Sequence, residues 1–186
     1  RLVQVNNYAV MLINAGNDER AEEMLAEAVS LAEQARGPDH SSVGDLLQNR
    51  GVVLTRLGRL EEARLAHERA AAIFRRSRAA GDPRRAFPDL SLAGVHLALE
   101  QPRAALAAAD SALEVLLATL PAEHYAIAVA RCRRARSWVA LGQAAEAANP
   151  FARATAILAE TGEPTYRREC LTAAADFSES RGDNAH

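Results

Sequence analysis

The chain has 186 residues, 49% hydrophobic and only 4% aromatic, with a formal charge of −2 and a pI near 6.2. So much apolar content excludes a disordered segment, and the lack of a net positive field argues against nucleic acid as a general partner. No stretch approaches the roughly 18 apolar residues that a bilayer crossing needs, so no membrane span is expected.

The opening Arg1-Leu2-Val3-Gln4 lacks a signal-peptide pattern, which makes a cytoplasmic setting the expectation. All 22 basic residues are Arg and none is Lys, which with the abundant Ala suggests a GC-rich, bacterial coding sequence. The chain begins without Met inside a periodic segment, so it is expected to be an excerpt of something longer. Cys132 and Cys170 lie far apart and read as small buried hydrophobes, with a redox pair as the alternative.

One pattern organises everything else. Ala9, Gly51, Ala93 and Ala135 are spaced 42 residues apart, as are Ala21, Ala63, Ala105 and Ala147, and Ala28, Ala70, Ala112 and Ala154. Repetition at such a period marks an array of one supersecondary unit, whose stability is summed over neighbouring contacts. Four units are expected, at about 1–39, 40–81, 82–123 and 124–163, with a closing helix at 164–182.

In the first unit the expected helix around Val5-Asn6-Asn7-Tyr8-Ala9 runs to Gly16, and a second begins at Asp18 and Glu19. Carboxylates there meet the positive helix end, a structural rather than acid/base role. Gly37-Pro38-Asp39-His40-Ser41 then breaks the chain. In the second unit Leu47, Gly51, Leu54 and Leu57 form one helical stripe and Leu60, Ala63, Ala70, Ile73 and Phe74 another, with Gly58 free to adopt the left-handed turn between them. Glu61 and Glu62 repeat the acidic start.

Gly81-Asp82-Pro83 opens the third unit, Pro88 lies near the start of its first helix, and Glu100-Gln101-Pro102 replaces the glycine turn. Leu120-Pro121-Ala122-Glu123-His124 leads into the fourth, where Gly142 returns and Pro150 falls inside the second helix, a place where it should bend it. His40 and His124, two periods apart, read as repeated loop residues rather than metal ligands. Leu31, Ile73, Val115 and Ile157 are expected to fill the space between layers, and Trp138 and His96 to sit at a core position shared with Leu12 and Leu54. His96 there is expected to be partly buried and hydrogen-bonded. Tyr166 to Ser180 reads as a fifth first-type helix with Ala175 as its small residue. Its exposed side would carry Arg167, Arg168, Glu169, Asp176 and Glu179, as a cap on the last apolar layer.

Val5-Asn6-Asn7-Tyr8-Ala9, with Gly16, Ala21, Ala28 and Gly37-Pro38-Asp39-His40, resembles the tetratricopeptide repeat, in the 42-residue variety of kinesin light chains and many bacterial signalling proteins. The resemblance implies an all-α, right-handed α-solenoid whose first helices line a concave groove that holds a peptide or partner helix. It implies no enzymatic activity and no cofactor, and no Ser-His-Asp, Cys-His, metal-ligand or phosphate-loop pattern suggests otherwise.

On that reading the groove is lined by Asn6, Asn7, Val10 and Asn14, then Gln48, Asn49, Val52 and Arg56. Leu90, Ser91, Gly94 and Leu97 follow, then Cys132, Arg133, Arg136 and Val139. Amide side chains can bond the backbone of an extended peptide without choosing its sequence, while Arg133 and Arg136 would select acidic groups. The same asparagines could instead bond within their own helices and the arginines face water. Where the chaperone-tail clamp of the family needs lysines and asparagines, only Asn49 matches, so that ligand is not expected. The readings that follow are a peptide-binding scaffold and, as the alternative, a peptide-sensing regulatory region of a larger bacterial signalling protein or transcription regulator. Oligomeric state is left open.

Overall fold

The computed structural model describes residues 2–161 and 164–182. Arg1 and residues 162–163, where the fourth unit is expected to end, lie outside the described residues. Among the described residues the chain forms nine α-helices and one 3-10 turn: α1 (Leu2–Asn14), α2 (Asp18–Arg36), α3 (Ser41–Arg56), α4 (Leu60–Ser77), the 3-10 turn Pro83–Ala86, α5 (Phe87–Ala98), α6 (Pro102–Thr119), α7 (Tyr125–Ala140), α8 (Ala144–Thr161) and α9 (Pro164–Ser180).

Each helix packs on the next along the chain. Among the described residues the first helices of successive pairs (α1, α3, α5, α7 and α9) also touch one another, whereas α2, α4, α6 and α8 do not. The first helices therefore form the inner, closely packed layer of the array. The small residues explain that closeness: Ala9, Ala93, Ala135, Ala21, Ala63, Ala105, Ala147, Ala70, Ala112 and Ala154 are fully buried and Ala28 nearly so. A bulkier side chain at any of them would push helices apart at about 1–3 kcal/mol. Burial is spread over three clusters, one in α1–α4, a small one around Leu54, Ala63, Ala66 and Val95, and one from Ala86 to Phe177.

Turns and starts follow the same register. Gly16, Gly58 and Gly142 sit at φ 74°, 74° and 75° after α1, α3 and α7. Glu100 holds the same place after α5 at φ 57°, the sole non-glycine residue with positive φ among the described residues. At the other end of the unit, His40, Asp82 and His124 are 42 residues apart. Each accepts a hydrogen bond from the backbone N–H two residues on, those of Ser42, Arg84 and Ala126, through Nδ1 in the histidines and Oδ1 in the aspartate. The Arg84 guanidinium beside Asp82 holds its carboxyl well below the usual carboxylate range. The loop histidines are thus helix caps.

Three expectations are corrected. Leu31 is 49% exposed, so in the first unit it fills no interlayer space, although Ile73 is buried and Val115 and Ile157 pack against the core. In α9 Ala175 faces solvent, and Phe177, one period after Ala135, takes the buried position and packs on Phe151 with ring centroids 5.3 Å apart. Glu169 is not on the exposed side of that helix but half-buried against α7. Pro88 lies in the first turn of α5, and α8 runs through Pro150. Trp138 packs against the core with Arg134 over its ring, and His96 is half-buried, its Nδ1 2.8 Å from Gln101 Oε1.

Candidate functional site

The inner layer brings Asn6, Gln48 and Asn49 to one place. They line a cleft of about 490 Å³ with Ser42, Asp45 and Leu46 of α3, Arg36 at the end of α2, Phe74 of α4, Arg84, and Phe87 at the start of α5. Its floor is apolar and its rim carries amides and two guanidinium groups. Asp45 is already paired with Arg78, and Arg84 with Asp82 at 2.7 Å. Arg36 lies exposed at the edge.

The amides bond across helices rather than within them. Asn49 Nδ2 donates to Asn6 Oδ1 at 2.7 Å, and Gln48 Nε2 donates to Ser91 Oγ at 3.0 Å, so α1, α3 and α5 are laced one to the next. Gln48 Oε1 accepts from His67 Nδ1 at 2.9 Å. The ring of His67, fully buried, lies where a Cβ on Gly51 would stand 2.5 Å from it, which explains why glycine replaces alanine in this copy alone. Burial and the positive field of Arg133 pull the imidazole down to about 4, so it is neutral at pH 7.

The remaining expected groove residues are scattered in role. Asn7, Val10 and Asn14 are exposed on α1, Val52 is half-buried and Leu90 buried. Arg56 donates to the Ile13 carbonyl of α1 at 2.8 Å and pairs with Asp18 of α2 at 3.0 Å, tying α3 to both. Gly94 accommodates the Arg133 guanidinium, whose Cζ would lie 2.9 Å from an added Cβ.

Arg133 itself is buried. It donates to the Leu90 carbonyl at 2.7 Å and pairs with Glu169 of α9 at 3.3 Å, while Arg136 pairs with the same carboxylate. Burial opposes the Arg133 charge, but Glu169 and Tyr166 outweigh it and hold the guanidinium above its ordinary value. Burial likewise opposes the Glu169 charge, and the two arginines outweigh it and hold the carboxyl down. Both arginines are therefore paired inside the chain, sharing one carboxylate.

Beside that pair the two cysteines meet, despite their separation in sequence. Cys132 on α7 and Cys170 on α9 are buried with their thiols hydrogen-bonded, and that bond and burial push the Cys132 thiol up, so it stays protonated. Only the 42-residue register could have hinted at this, since Ala174, one period after Cys132, lies one turn beyond Cys170 on α9. Among the described residues no group of three or more His, Cys, Asp or Glu side chains could hold a metal ion, and no helix is long and apolar enough to cross a membrane.

An all-helical array of repeated helix pairs, its inner helices sharing a partly apolar cleft, is an α-solenoid. Residues 2–76 match the family model described as tetratricopeptide repeat, so α1–α4 are tetratricopeptide repeats, and the same architecture continues through α9. No curated protein matches the chain.

Among solved structures, a putative kinesin light chain with nearly identical TPR-like repeats from Podosopora anserina superposes with a TM-score of 0.78 at 22% identity, over 99% of this chain and 88% of its own. BtubC (BKLC) from P. vanneervenii gives 0.77 at 19% identity over 97% and 72%. YrrB, described as a TPR protein with an unusual peptide-binding site, gives 0.55 at 22% over 96% and 87%. At these identities the likeness shows the fold.

Proposed function

We propose that this chain is a protein-interaction scaffold that binds an extended peptide in the cleft where α1, α3 and α5 come together. The carrying observation is the cleft itself: an apolar floor of Leu46, Phe74 and Phe87, with Asn6, Gln48 and Asn49 at its side. Apolar surface supplies the affinity, and amides supply backbone hydrogen bonds to a strand-like ligand. The Asn49–Asn6 bond leaves each amide a further donor or acceptor, so the pair can bridge to a ligand without breaking.

Preference for an acidic ligand rests on Arg36 at the cleft's edge rather than on Arg133 and Arg136, which do not line the cleft and share Glu169 as their partner. Such capture suits the interaction region of a larger signalling protein.

The test is selection of peptides from a random displayed library, followed by titration of the winners against variants. Asn49→Ala should weaken binding about tenfold, the loss of roughly one ligand hydrogen bond. Arg36→Ala should weaken acidic winners in preference to neutral ones. Winners whose affinity ignores both changes would place binding elsewhere.

A further inference from the structure

A second cleft, of about 360 Å³, opens where the last turns of α5, α7 and α9 meet α8, and it shares no lining residue with the first. Leu97, Val139, Ala140, Phe151 and Phe177 make its wall apolar, and Asp176 and Ser180 of α9 form a polar edge.

The repeat register explains why this space is open. Leu12, Leu54, His96 and Trp138 occupy one position in the first four units, and one period after Trp138 stands Ser180. Leu54 is buried there, and Leu12 and Trp138 pack against their cores. A hydroxymethyl group in the place of an indole leaves most of a ring's volume unfilled. Phe177 does not fill it, because its ring lies against Phe151 with centroids 5.3 Å apart.

The charge at the edge changes in the same step. In the fourth unit the Arg134 guanidinium lies 4.8 Å from the Trp138 ring centroid, and one period on the arginine has become Asp176. Asp176 is exposed, and among the described residues its carboxylate makes no ion pair or hydrogen bond. Ser180, one turn later on the same face of α9, donates its hydroxyl proton to the Phe177 carbonyl at 2.7 Å, so its oxygen is left to accept. Arg136, which also lines the cleft, is turned to Glu169, and Arg168 lines the adjoining recess but not this cleft.

We propose that this cleft binds a partner peptide through an aromatic side chain next to a basic one. The ring occupies the space that Trp138 fills one unit earlier, and the neighbouring guanidinium or ammonium group pairs with Asp176 and reaches the Ser180 oxygen. The apolar wall supplies the affinity, and the unpaired carboxylate selects the cation. This preference is the reverse of that at the first cleft, where Arg36 favours acidic groups, so the two ends of the inner layer select segments of opposite charge.

The test is a titration of the intact, nitrogen-15-labelled chain with acetyl-Phe-Arg-amide, followed by NMR. Saturable shifts are expected at the amides of Val139, Ala173 and Ser180. Acetyl-Phe-Glu-amide and acetyl-Gly-Arg-amide, which lack the cation and the ring respectively, should each bind about tenfold more weakly or worse. Asp176 and Ser180 are both exposed, so variants at either should fold. Asp176→Asn should erase the preference for Phe-Arg over Phe-Glu, and Ser180→Trp, which restores the indole of the fourth unit, should abolish binding of both.

Equal affinity for Phe-Arg and Phe-Glu in the wild type, no saturable binding, or binding that survives Ser180→Trp would overturn the site. Shifts centred on Asn49 and Phe87 instead would put the dipeptide in the first cleft, overturning the second while leaving the first standing.

Discussion

Glu100 offers the sharpest check on how the repeat is built. The residue at the end of α5 must turn left-handed so that α6 can fold back, and a side chain at φ 57° places its Cβ against the following carbonyl at about 1–2 kcal/mol. Glu100 is exposed, and among the described residues no ion pair or hydrogen bond of its carboxylate offsets that strain. Glu100→Gly removes the strain but adds unfolded-state freedom worth about 0.5–1 kcal/mol. The net is a stabilisation of about 0.5–1 kcal/mol, or about 2 °C in Tm for a chain of this length.

Denaturant titration with the slope held common, backed by calorimetry, reads it directly. Gly58→Ala is the reciprocal perturbation: φ is 74° and nothing lies within 4 Å of the added Cβ, so strain alone should destabilise by about 1 kcal/mol. If Glu100→Gly destabilises the chain while Gly58→Ala is neutral, the turn is held by something other than the left-handed residue, and the reasoning fails.

Stability should fall on mild acidification because of His67. The unfolded histidine takes up a proton near pH 6.5 and the buried one only near 4, so its contribution is complete above 6.5 and is lost between the two. The drop should be about 2–3 kcal/mol between pH 7 and 4.5, measured by urea unfolding and absent in His67→Leu. Gly51→Ala should cost about 1–3 kcal/mol by driving a methyl into the imidazole, and adding His67→Leu, the pairing Ala9 and Leu25 already use, should recover most of it in a double-mutant cycle. Glu169→Gln should destabilise by about 2 kcal/mol by stranding the Arg133 charge, a figure set between buried and surface pairs. In wild type Cys132 and Cys170 should resist alkylation at pH 8, and in Glu169→Gln they should react faster as α9 loosens; equal rates would mean that the ion pair does not hold α9.

The 42-residue register was enough, without coordinates, to place the helices, the left-handed turns and the small residues at the closest contacts. Each of these is set by local backbone preference or by the volume one position allows, and both leave a periodic trace. The two histidines of the loops also showed in that register, though their capping role needed the geometry of His40 Nδ1 over the Ser42 N–H.

Which polar groups meet was decided by the tertiary structure. Arg133 reads as a groove residue by register, yet α9 lays Glu169 against it, and the burial of both charges depends on a helix 36 residues away. Asn49 turns to Asn6, and Cys132 to Cys170, for the same reason: hydrogen bonds and ion pairs join side chains from different repeats, and their partners are chosen by distance in space, which a period along the chain does not encode.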